Sequence, residues 1–91
     1  MIYELIISPN AIEDILFLKK TDRPAYQKVG KLLNELREHP KKGTGKPQLK
    51  RYDLSGFYSR RITQKHRLVY QIQEEKVTVL VLSAQGHYGD K

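Results

Sequence analysis

The chain contains no cysteine, which removes disulfides, thiol nucleophiles and cysteine-ligated metal from consideration. It also lacks any apolar run approaching the roughly 20 residues needed to cross a bilayer. The opening MIYELIISPN has neither the basic region nor the long apolar stretch of a secretory signal. A cytoplasmic protein that does not engage a membrane is expected. His39, His66 and His87 are too dispersed to resemble a zinc motif, so no metal and no other cofactor is expected. With 91 residues, two separate cores would each fall below the size that holds without metal or disulfides. One domain spanning residues 1–91 is therefore expected, and its 38% hydrophobic and 30% charged content is that of an ordinary globule.

Acidic residues are scarce in one region in particular. Between Arg37 and Arg67 stand ten basic residues (Arg37, Lys41, Lys42, Lys46, Lys50, Arg51, Arg60, Arg61, Lys65 and Arg67) against Glu38 and Asp53. That stretch carries +8 of a chain whose net charge is +7, so the remainder sums to −1. A concentration of this kind is the footprint of a polyanion binder, because each phosphate neutralised releases counterions. The same charge also suits a solvated surface or an acidic protein partner.

The local patterns predict an order of elements. Tyr3 to Ile7 reads as a short strand. Ser8-Pro9 starts a helix, with serine as the cap and proline where its missing N–H costs nothing. Ile12, Ile15 and Leu16 are expected as its buried stripe, and the helix should stop near Lys20. Thr21-Asp22-Arg23-Pro24 supplies a new cap for a second helix carrying Ala25, Val29, Leu32, Leu33 and Leu36 at helical spacing. The pair forms an αα-hairpin that His39-Pro40 ends, and KKGTGKP follows as a loop. Strands are expected at Leu49 to Leu54, Tyr58 to Thr63, Arg67 to Gln73 and Val77 to Ser83, with turns at Ser55-Gly56 and Glu74-Glu75. The apolar run VTVLVL marks an interior strand. The expected fold is α+β: a twisted antiparallel sheet with the N-terminal αα-hairpin packed on one face.

Strand parity then separates charge from core. If Ile62, Leu68, Tyr70 and Ile72 face the helices, a period of two sends Arg61, Arg67 and Val69 to the opposite side. The turn around Gln64 to His66 must then have odd length. An open cationic floor results.

GKP and the lysine-containing segment after it, then LSGFYSRRI, HRLVY and a near-terminal His-Tyr, together resemble the YoeB/Txe branch of the RelE superfamily of bacterial type II toxins. The similarity covers nearly the whole chain, and the run LSGFYSRRITQKHRLVY is its most specific part. The resemblance implies a microbial-ribonuclease-like, RelE-like fold and cleavage of messenger RNA in the ribosomal A site, in contact with ribosomal RNA. It also implies neutralisation by an acidic antitoxin of YefM type, with a homodimer or a toxin-antitoxin hetero-oligomer as the assembly. Carried over by motif, Arg67 in HRLVY matches the family's transition-state arginine. His87 and Tyr88 in GHYGD match the histidine and tyrosine that usually end the chain, although here Gly89-Asp90-Lys91 follow. Gln48 occupies the place of the family's general-base glutamate, so that KPE becomes KPQ.

Metal-independent RNA cleavage needs a group to take the 2′-hydroxyl proton, a cation for the phosphorane, an acid for the 5′-oxygen and a surface that holds the nucleotide in line. Histidine titrates near working pH, which suits His87 to proton transfer. Arg67 offers a planar fork for a phosphate, Tyr88 can stack on a base, and Gln48 can orient a hydroxyl but cannot act as a base. Arg61 serves either substrate or fold. Lys46, Lys50 and Arg51 are expected to contact flanking phosphates or ribosomal RNA. His66 is expected as a structural hydrogen bonder, and Phe57 and Tyr58 as core or sheet cover. The leading expectation is thus a ribosome-dependent endoribonuclease toxin. The alternative is a translation inhibitor that binds RNA or the ribosome but has lost its general base. An operon repressor ranks last, since no helix-turn-helix is recognisable.

Overall fold

A computed structural model describes residues 2–41, 43 and 57–84 in full, together with the backbone of residues 48–49. The elements are β1 (Glu4–Ile7), α1 (Pro9–Thr21), α2 (Arg23–Leu36), β2 (Gln48–Leu49), β3 (Phe57–Arg61), β4 (Arg67–Gln73), a 3₁₀ turn (Glu74–Lys76) and β5 (Thr78–Ser83).

The helix starts follow their caps. Ser8 accepts from the Ala11 N–H and Asp22 from the Ala25 N–H, each with a proline in the first turn behind it. Ser8 also donates its hydroxyl to the Leu82 carbonyl at 3.1 Å, which ties the start of α1 to the end of β5. The second helix buries Ala25, Val29, Leu32 and Leu36, with Leu33 packed at the margin, as its spacing predicts. The first helix departs from expectation. Ala11 and Leu18 are its buried residues and Ile15 is partly buried, whereas Ile12 and Leu16 are exposed. Ala11, Ile15 and Leu18 form an i, i+4, i+7 stripe whose small first residue a hydrophobicity count passes over.

The strands assemble in the order β1-β5-β4-β3-β2. From β2 to β5 each neighbouring pair is antiparallel, the expected meander, but β1 joins β5 in parallel. The sheet is therefore mixed rather than antiparallel throughout. The helical hairpin between β1 and the meander makes this arrangement accessible, since a parallel neighbour needs a crossover of a dozen residues or more. The interior position of β5 matches the two-sided apolar character of VTVLVL.

The hairpin between β3 and β4 has the odd-length turn that the parity argument requires. Ile62 donates its N–H to the His66 carbonyl at 2.9 Å, leaving Thr63, Gln64 and Lys65 between them. The Thr63 hydroxyl accepts from the N–H groups of Lys65 and His66, so the His66 backbone helps close the turn. The core under the helices contains Ile62, Leu68, Tyr70, Ile72, Val79 and Val81, with Leu5 and Ile7 of β1 packed beside them. Tyr58 stacks on Tyr70 with ring centroids 6.0 Å apart.

Candidate nucleic-acid interface

The register of β3 and β4 sets Arg61 directly opposite Arg67 and Ser59 opposite Val69. By pleat these four share the face that the helices do not cover. Arg61 is exposed and Arg67 partly buried, while Ser59 and Val69 are buried, so that face is less open than parity alone implies. Two like charges in direct cross-strand register repel one another. Among the described residues no carboxylate forms an ion pair with either arginine. The arrangement is suited to an anion that meets both guanidinium groups at once.

The partner of Arg67 is Ser59: Nη1 lies 3.4 Å from the serine Oγ, a long contact that holds the guanidinium over β3. Ser59 is in turn the residue with which Gln48 pairs across β2 and β3. Gln48, Ser59 and Arg67 therefore occupy neighbouring positions on three adjacent strands. Ser83 of β5 stands in register with Val69, and the Ala84 N–H next to it donates to Asp14 Oδ2 at 3.0 Å. This bond pins to α1 the point at which the chain leaves β5. His87 and Tyr88, which follow that point, lie outside the described residues, as do Lys46, Lys50 and Arg51.

Arg60 departs from the charge reading. It belongs to the cationic stretch by sequence, yet its exposure is 0% and it faces the core. The parity that buries Ile62 also buries the residue two before it. Its Nε donates to the Tyr70 hydroxyl at 3.1 Å, Nη1 to Glu35 Oε1 at 2.8 Å and Nη2 to the His39 carbonyl. The Tyr70 hydroxyl passes the chain on to the Pro40 carbonyl at 2.8 Å. Burial raises the Tyr70 pKa from its ordinary value, and the hydrogen bond and charge of Arg60 oppose that rise. On the surface, Glu74 receives Lys41 at 2.8 Å and the Tyr3 hydroxyl at 2.9 Å, which lowers its pKa.

A mixed sheet backed by a helical hairpin, with paired arginines on its far side, defines a small α+β protein. The sequence profile of the YoeB-like toxins of bacterial type II toxin-antitoxin systems matches residues 7–88, and the chain belongs to that family. Toxin YoeB of Escherichia coli strain K12 is 38% identical over 85 residues, covering 93% of this chain and 99% of that protein. The YoeB dimer from Staphylococcus aureus superimposes with a TM-score of 0.81 at 32% identity, covering 97% of this chain and 100% of that one. A heterotetrameric YoeB-YefM complex, also from Staphylococcus aureus, contains a chain with a TM-score of 0.75 at 35% identity, covering 94% of this chain and 98% of that one. The α+β fold and the toxin family expected from sequence are both met.

Proposed function

We propose that this chain is a metal-independent endoribonuclease that cleaves messenger RNA in the ribosomal A site, using the RNA 2′-hydroxyl as nucleophile. The observation that carries the reading is the cross-strand pair Arg61 and Arg67 on the helix-free face, beside Ser59. A planar, permanently charged guanidinium at Arg67 stabilises the phosphorane, and Arg61 holds the phosphate or its neighbour. His87 serves as the acid for the 5′-oxygen and Tyr88 stacks on a base. Lys46, Lys50 and Arg51 meet flanking phosphates and ribosomal RNA. With an amide at Gln48 the base step is weak, and alignment on the ribosome supplies much of the rate. The partner is an acidic antitoxin resembling YefM, a reading supported by the solved YoeB-YefM complex of a relative, and a homodimer is supported by the solved YoeB dimer.

The family resemblance suggests a second reading. Gln48 stands where relatives are read as carrying a carboxylate, and a chain with that loss can bind the ribosome without cleaving. Inducible expression of the wild type beside Arg67→Ala and His87→Ala, with primer extension on cellular messages, separates the two. Cut messages with the wild type alone support the nuclease, whereas arrested translation with intact messages supports the binder.

A further inference from the structure

Burying an arginine is costly, and a well-packed apolar side chain of similar volume usually serves stability as well or better. Arg60 is fully buried nonetheless, and its guanidinium reaches β4 through Tyr70, α2 through Glu35 and the segment that follows α2 through His39. Through Nη2 it holds the His39 carbonyl, and through the Tyr70 hydroxyl the Pro40 carbonyl. The same cluster meets the chain again at Gly43, whose φ of +127° is one that side-chain-bearing residues rarely adopt. A Cβ at that position would stand 2.6 Å from Glu35 Oε1 and 3.1 Å from Arg60 Nη1. One network therefore holds the His39 and Pro40 carbonyls and lies close against Gly43. Five residues later the chain pairs Gln48 with Ser59, the neighbour of Arg60 on β3 and the contact of Arg67.

We propose that Arg60, Glu35 and Tyr70 form a positioning clamp for the cationic site, fixing the segment after α2 so that β2 lies in register beside Ser59 and Arg67. The clamp rests on the nuclease reading for its purpose but not for its existence. None of the three touches the helix-free face, so RNA binding and its salt dependence stay with Arg61 and its neighbours. The clamp acts on alignment, where a displacement of about 1 Å can cost up to about a hundredfold in rate.

The test uses Tyr70→Phe, which keeps the ring and removes the hydroxyl, and Gly43→Ala, which drives a methyl group against the Glu35 carboxylate. Both are compared with wild type by thermal melting, by hydrogen exchange of residues 39–49 against β5, and by single-turnover cleavage on programmed ribosomes. The expected result is faster exchange in 39–49 with β5 unchanged, together with cleavage about tenfold or more slower at unaltered ribosome affinity. Unchanged exchange in both folded variants overturns the clamp. Faster exchange with a wild-type cleavage rate overturns its positioning role. Should wild type itself fail to cleave, the nuclease reading and the positioning role fall together, while the exchange data still decide whether the clamp exists.

Discussion

Arg60 and Arg61 are consecutive in β3, yet one is fully buried against Glu35 and the other is exposed opposite Arg67. The strand pleat alone divides them. A single dipeptide thus ties the sheet to α2 on one side and leaves a cation on the helix-free face on the other. The two arginines should respond differently to every perturbation.

On the exposed side, Arg67→Ala should lower single-turnover cleavage by about 10² to 10³, the usual loss when one preorganised donor to a developing oxyanion is removed. Arg61→Ala should act mainly on binding, reducing the slope of log affinity against log salt by about one charge. Cleavage assays and a salt titration of RNA binding, run on both variants, read these effects. Equal loss in both parameters for both variants would contradict the division of roles.

Restoring a carboxylate by Gln48→Glu should speed cleavage. A positioned general base is typically worth about 10² to 10⁴, and the backbone register already sets this position beside Ser59. An increase of about tenfold or more is expected in single-turnover rate, with a new acidic limb in the pH profile. An unchanged rate would assign the base to another group.

On the buried side, Arg60→Met should destabilise the fold by about 3 kcal/mol, the low end for breaking a buried pair, because Glu35 retains some access to water through which its charge is screened. Adding Glu35→Leu should recover much of that loss, since the uncompensated carboxylate leaves with its partner. Urea unfolding of the two single variants and the double variant gives the cycle. Additive losses would show that the pair is not coupled.

Alkaline stability should depend on Tyr70. Its folded pKa is raised above the unfolded value near 10.0, chiefly by burial, so the folded state retains a proton that the unfolded state releases. The associated stability is fully present below the unfolded pKa and is lost as pH rises through the folded one. Melting temperatures should therefore run parallel below about pH 10 and fall more steeply above it in wild type than in Tyr70→Phe. Parallel curves throughout would count against the buried hydroxyl as a titrating group.

Local chemistry made much of the fold legible. Ser8 and Asp22 each act on the backbone within three residues, and caps of that range are readable from sequence. The odd turn between Ile62 and His66 followed from which neighbours had to be apolar. For Arg60 the signal lies in parity, which a count of charges passes over: the alternation that turns Ile62 inward turns Arg60 inward too. The α1 stripe is harder to see in sequence because Ala11 contributes little hydrophobicity while packing fully.

By itself the sequence determined the helical hairpin, the antiparallel meander and the gathering of positive charge between Arg37 and Arg67, because caps, periodicity and net charge are properties of near neighbours. Only the tertiary structure decided that β1 runs parallel to β5 and that Arg60 meets Glu35 and Tyr70. Those pairings join residues far apart in the chain, and such choices are made when the whole core closes.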